Sequence, residues 1–230
     1  MTPPRQMTLA LAHRPALGPE DFLQGPSNQA AYDAVTGSGA AKMRLALSGP
    51  EGSGKTHLAS IWGQQTEAVT LQAADLTDDH VAAMGQAPAV VIEEADHIRR
   101  DQEALLFHAL NLTQAEGTAL LITGRTPPAR WDIATPDLTS RLQAMLHIAI
   151  HPPDDVLLSS ILTKLFSDRQ LTVGQEVVNY IVRRMERSFA AAERTVDRLD
   201  RMALANRRPI TRPLATEMFE TDDTSEPGKA

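Results

Sequence analysis

Gly49-Pro50-Glu51-Gly52-Ser53-Gly54-Lys55-Thr56 satisfies the pattern G-x-x-x-x-G-K-[ST] of a phosphate-binding loop. Before it runs Met43-Arg-Leu-Ala-Leu-Ser48, a short apolar strand candidate, and after it His57-Leu-Ala-Ser-Ile-Trp-Gly63, a helix candidate. Strand, glycine loop and helix in that order are what the chemistry needs. Glycines let the backbone curl until several N–H groups face one phosphate, and the helix N-terminus adds positive partial charge. Lys55 is placed to reach the β- and γ-phosphates and Thr56 to ligate Mg²⁺. The stretch predicts binding of a nucleoside di- or triphosphate, with Gly49, Pro50, Glu51, Gly52, Ser53, Gly54, Lys55, Thr56 and His57 as the binding residues.

Outward from the loop, apolar runs alternate with helical spacing. The runs are Leu45–Leu47, Val69–Leu71, Ala89–Ile92, Ala119–Ile122 and Met145–Ile150; helices are expected at 55–65, 78–85, 101–115 and 137–143. The alternation predicts an α/β base with a five-stranded parallel sheet flanked by helices, spanning residues 21–152. After His151-Pro-Pro153 the pattern becomes all helical, with expected helices at 154–169, 174–187, 190–206 and 212–219. Residues 153–220 therefore read as a small helical lid. Residues 1–20, rich in proline and small or polar residues, read as a flexible arm. The tail 221–230 is acidic and reads as disordered.

Composition narrows the function classes. The chain has 230 residues and no cysteine, which excludes disulfide scaffolds, thiolate metal sites and cysteine nucleophiles and fits a reducing compartment. No apolar run is long enough to span a bilayer, and the N-terminus lacks a secretory pattern, so a cytoplasmic location without membrane partners is expected. The net charge of −7 argues against a stand-alone duplex-DNA binder, whose affinity comes mainly from neutralised phosphates. Arginines nevertheless cluster between Arg183 and Arg212, leaving local contacts open.

A second acidic site follows the third run. Ala89-Val-Val-Ile-Glu-Glu-Ala-Asp96 is an apolar strand ending in carboxylates. Beside a phosphate loop such an end organises metal and water, with Glu93 on the metal side and Glu94 orienting the attacking water; alone, it reads as a solvated acidic turn. Thr123, closing the next strand, is a candidate for sensing γ-phosphate or water. Arg141, in Asp137-Leu-Thr-Ser-Arg-Leu142, carries a planar charge suited to phosphate, and reads either as an exposed helix arginine or as one reaching a neighbouring subunit's nucleotide.

Together these residues resemble the AAA+ ATPases of the bacterial initiator clade, the DnaA family. The resemblance covers roughly residues 20–220. It implies that Phe22, Gly25 and Asn28, in the Asp21–Tyr32 segment, lie near adenine, that the cofactor is ADP or ATP with Mg²⁺, and that Ser140-Arg141-Leu142 is the finger box. Gln6-Met-Thr-Leu-Ala-Leu11 resembles the Q-x-x-L-x-L peptide that docks on the DNA polymerase sliding clamp, with Gln6, Leu9 and Leu11 as anchors. An arm of this kind before a DnaA-like module, with no helix-turn-helix domain behind the lid, is similar to the Hda family. That family's role in regulatory inactivation of DnaA implies as partners the clamp's beta subunit and DnaA, DNA reached mainly through the clamp, a replisome-associated location in the nucleoid, and possible homo-oligomers. The implied activity is stimulation of hydrolysis of DnaA-bound ATP, preventing over-initiation.

Two departures bear on the chain's own hydrolysis. Glu93 stands where the family usually has Asp, and Ala190 aligns with the lid arginine that senses nucleotide, with Arg187 or Arg194 as substitutes or as solvated residues. Intrinsic hydrolysis is therefore expected to be weak. One alternative is a helicase-loader or transposition-type ATPase acting on single-stranded DNA, which the acidic charge and the 4% aromatic content disfavour, since such sites use basic grooves and stacking rings. Another is a nucleotide-gated scaffold without ATPase function.

Overall fold

The computed structural model describes residues 18–223, and the arm residues Gln6, Leu9 and Leu11 lie outside that range. Five parallel strands form one sheet in the order β2-β3-β4-β1-β5: β1 (Arg44–Ser48), β2 (Val69–Gln72), β3 (Ala89–Glu93), β4 (Ala119–Gly124) and β5 (Leu146–Ala149). The central strands β3 and β4 are buried throughout, as unbroken apolar runs covered on both faces must be. The edge strands β2 and β5 are mostly exposed or half-buried.

Successive side chains alternate between the two faces. On one face Val90, Ile92, Leu120 and Ile122 meet Leu106, Leu110, Leu138 and Leu142, from α4 (Glu103–Ala115) and α5 (Pro136–Gln143), with α3 (Asp78–Met84) beside α4. On the other, Val91 and Leu121 meet Leu58, Trp62, Ala31 and Val35, from α1 (Gln29–Thr36) and α2 (Lys55–Thr66). Trp62 is fully buried, and its indole N–H donates to the Ala40 carbonyl at 2.9 Å, satisfying the one polar atom that burial would penalise.

The lid comprises α6 (Asp155–Asp168), α7 (Gln175–Val182), α8 (Phe189–Asn206) and α9 (Arg212–Asp223). Leu158, Leu162, Ile181, Ala192, Val196 and Leu199 form its own core. Asp154 caps α6 by accepting the Leu157 N–H at 2.8 Å, and Ser188 caps α8 by accepting the Ala191 N–H at 3.1 Å; each cap is worth about 0.5–2 kcal/mol.

Several boundaries differ from the sequence reading. The helix expected at 174–187 stops at Val182, and a turn carries the chain to the Ser188 cap. The helix expected from 101 begins with a 3₁₀ turn, Arg100–Gln102. At the C-terminus α9 continues to Asp223, so residues 221–223 are helical and not tail. At the other end Pro19–Asp21 form a 3₁₀ turn that begins within the stretch read as arm.

Candidate functional site

Parallel pairing sets Ser48 beside Gly124 and Ile92 beside Ile122. The ends of β1, β3 and β4 therefore share one edge of the sheet, the edge at which open α/β sheets bind ligands. The phosphate loop, Glu93 and Thr123 all lie there.

The loop needs glycine at two points. Gly52 has φ +67° and Gly54 φ +95°, the left-handed region where a side chain is strained. The Lys55 ammonium donates to the carbonyls of Gly49 and Pro50 at 2.8 and 2.9 Å. Burial lowers its pKa, Asp96 opposes that, and Arg125 lowers it further. The Ser53 hydroxyl is buried without a hydrogen-bond partner. A curled loop, an ammonium and an unsatisfied hydroxyl together fit a phosphate group.

Thr56 and Glu93 come together: the threonine hydroxyl donates to a Glu93 carboxylate oxygen at 3.0 Å. The glutamate is 7% exposed. This pair of hard oxygen donors fits Mg²⁺, which takes one or two protein ligands and completes its shell with water and phosphate. Among the described residues no group of three or more metal-binding side chains exists.

Above the loop a cavity of about 540 Å³ opens between base and lid. Phe22 and Asn28 line it on the base side, and Leu157, Ile161, Phe189 and Ala190 on the lid side. Phe22 stacks on Tyr32 at 5.5 Å and meets the edge of His57 at 5.2 Å. Asn28 accepts the Gly25 N–H at 2.9 Å and donates to the Leu23 carbonyl at 3.0 Å, shaping the wall. Gly25 itself lies behind the cavity, where an added Cβ would come within 3.0 Å of Leu157. His57 bonds the Gly18 carbonyl at 2.9 Å. Lys164 on α6 reaches Asp21 of the base at 2.9 Å and Asp168 at 3.0 Å, tying lid to base.

A smaller cavity of about 130 Å³ lies at the far side of the loop, lined by Lys55, Thr56, Glu94, Asp96, Thr123 and Arg125, among others. Glu94 has φ +54°, a conformation that costs a non-glycine residue about 1–3 kcal/mol. Its N–H donates to the Thr123 hydroxyl at 3.1 Å while its carboxylate stays exposed near His97. Thr123 is only 1% exposed. Asp96 accepts the Arg125 N–H at 2.8 Å, and its other oxygen is buried without a partner. Glu51 pairs with Arg125 at 3.2 Å.

Arg141 is not part of this assembly. It is exposed on α5, donates to the Gln114 side chain at 2.9 Å and lies 5.6 Å over the Phe107 ring. The lid arginines considered as substitutes for Ala190 are engaged elsewhere, Arg187 with Asp155 at 2.6 Å and Arg194 with Glu186 at 3.4 Å, and neither lines either of these two cavities. Sequence reasoning missed Asp96 and Arg125 as site residues, although both stood in stretches already singled out. It had no signal for Lys164.

These features define the class: a P-loop protein of the AAA+ fold, with a five-stranded parallel base and a helical lid. Structural likenesses agree. Domain III of the Thermotoga maritima replication initiation protein DnaA is similar with a TM-score of 0.76 and 20% identity, over 91% of this chain and 97% of that one. The Thermotoga maritima RuvB Holliday junction branch migration motor matches with a TM-score of 0.71 and 19% identity, over 90% of this chain and 72% of that one. Replication initiator DnaA bound to AMPPCP and single-stranded DNA matches with a TM-score of 0.69 and 17% identity over 79% of this chain, which spans 63% of that protein's length. The helical unit matches the family model "Hda, lid domain" over residues 157–219. The likeness to DnaA is one of fold, and over residues 157–219 the lid resembles that of the Hda family. Among the described residues, no helix is long and apolar enough to cross a membrane.

Proposed function

We propose that this chain is an adenine-nucleotide-dependent regulator of replication initiation that stimulates hydrolysis of ATP bound to DnaA. The observation that carries the reading is the separation of two sites on one base. The phosphate loop faces the lid across an open cavity, while Arg141 is exposed on α5 and contacts Gln114 and Phe107 of α4. An arginine so placed does not serve its own loop and suits a nucleotide held by another molecule.

In this reading the cavity holds ADP or ATP. The loop amides and Lys55 bind its phosphates, Phe22 and the apolar lid residues enclose its base, and Thr56 with Glu93 holds Mg²⁺. Bound Mg²⁺ neutralises charge on the phosphate oxygens. Glu94 and Thr123 border the terminal phosphate, but no arginine of the lid reaches it, which fits weak hydrolysis by the chain itself. Nucleotide between base and lid sets their angle, and with it the surface offered to DnaA. The N-terminal arm, through Gln6, Leu9 and Leu11, holds the protein on the sliding clamp, and hence near DNA in the cytoplasm.

An arginine supplied in trans raises phosphoryl-transfer rates by about 10³–10⁵ in other systems. The test measures hydrolysis of DnaA-bound ATP in the presence of clamp-loaded DNA. Arg141→Ala is expected to abolish stimulation while keeping nucleotide affinity and clamp capture. Normal stimulation by this variant removes Arg141 from the mechanism, and salt-sensitive binding to single strands without any effect on DnaA would favour the helicase-loader alternative.

A further inference from the structure

We propose that Arg125 is a second phosphate-recognising cation of the loop site, selective for the terminal phosphate of a triphosphate, and that Glu51 of the loop holds it in reserve. The inference rests on the nucleotide-binding reading above and goes beyond it, because the residue expected to sense that phosphate was Thr123.

Thr123 can supply only part of the task. It is 1% exposed, and its hydroxyl, which accepts the Glu94 N–H, has a single uncharged O–H left to donate. Arg125 is better placed. It directly follows β4, its own N–H is fixed by Asp96 at 2.8 Å, and it lines the small cavity together with Lys55 and Thr56. The preceding Gly124 leaves no room for a side chain, since a Cβ there would fall 2.7 Å from Trp131. The guanidinium is close enough to Lys55 to disfavour its charge. Two cations are thus gathered at one end of the loop.

Charge explains why the second one matters. Glu51, Glu94 and Asp96 all face the small cavity. A terminal phosphate entering beside three carboxylates needs more than one ammonium. A guanidinium matches phosphate oxygens with two parallel N–H bonds. Its present partner is Glu51 at 3.2 Å, and both side chains are at least half exposed; such solvated pairs contribute little, so exchange of carboxylate for phosphate is not opposed by a strong bond. Because Glu51 belongs to the phosphate loop itself, filling the loop and releasing Arg125 are mechanically linked.

Isothermal titration with ADP and with AMPPCP, each with Mg²⁺, tests this on the full-length chain, its Arg125→Gln and Glu51→Gln variants and an Arg125→Lys control. Arg125→Gln should leave ADP affinity within about twofold and weaken AMPPCP by about tenfold or more, with Arg125→Lys in between. Glu51→Gln should shift the AMPPCP-to-ADP affinity ratio two- to fivefold toward the triphosphate. Equal effects on both nucleotides, or none, would overturn the assignment while leaving the nucleotide-binding reading intact. Failure of the unaltered protein to bind either nucleotide overturns both.

Discussion

The lid meets the phosphate loop through a backbone hydrogen bond: the Phe189 N–H, in the first turn of α8, donates to the Gly52 carbonyl at 2.8 Å. The next residue, Ala190, sits so close that a Cβ on Gly52 would lie 2.6 Å from its own Cβ. A methyl group of the lid is thus pressed against the loop. Small side chains on both partners let lid and loop meet directly.

Gly52→Ala tests that junction. The substitution combines a left-handed backbone with the clash at Ala190, and should lower stability by about 1–3 kcal/mol and weaken ADP binding by about tenfold or more. Adding Ala190→Gly should recover part of the binding loss, because it removes the atom struck. Calorimetry on the single and double variants checks both, and unchanged ADP affinity in Gly52→Ala would refute the close junction.

Lys55→Met separates ligand binding from folding. Lys55 bonds only loop carbonyls in this structure, so its loss should change the unfolding temperature little when no nucleotide is added. At about 100 times Kd, ligand stabilises a protein by about 2.7 kcal/mol. That gain should appear on adding ADP and Mg²⁺ to the unaltered protein and vanish in the variant, as thermal denaturation would register.

Glu103 should make stability pH-dependent. Its carboxylate accepts the N–H groups of Ala134 and Thr135, each at 2.9 Å, and the Thr135 hydroxyl at 2.7 Å. The Ala134 N–H first, then the Thr135 hydroxyl, hold its pKa below the usual glutamate value. A group depressed on folding stabilises above its unfolded pKa, and that stability fades as pH falls through the folded one. Glu103→Gln should therefore cost about 1–3 kcal/mol at neutral pH, with the gap closing below about pH 4. Urea unfolding across that range measures it, and a gap independent of pH would exclude the ionised form as the stabilising species.

The arm is tested separately from the folded body. Changing Gln6, Leu9 and Leu11 together to alanine should abolish capture by immobilised sliding clamp, since each leucine, if fully buried, contributes about 1.5–3 kcal/mol before ordering costs. Nucleotide affinity should not change. Retained capture would move the clamp contact elsewhere.

Much of the base was legible because its signals are local or repetitive. Val90–Ile92 and Leu120–Ile122 read as strands because central parallel strands are apolar on both faces. The lid's α6 was legible from Val156, Ile161, Leu162 and Leu165 returning at helical spacing, although Val156 itself is exposed and Leu158 takes the buried position. The end of α7 was not, because residues 183–187 remain compatible with a helix in isolation. The need to deliver Phe189 to the loop, where its N–H meets Gly52, is a tertiary demand.

The same division holds at the site. Gly49 to Thr56 announced a phosphate site by themselves, because the requirement for left-handed backbone at Gly52 and Gly54 is written in residues a few positions apart. The meeting of Thr56 with Glu93 followed from one added premise, parallel strands ending at one edge. Only the tertiary structure decided that Arg125 faces Lys55, that Asp96 keeps a buried oxygen without a partner, and that Arg141 points away from its own loop. Charge and shape complementarity act through space between groups distant along the chain, so neither composition nor spacing carries them.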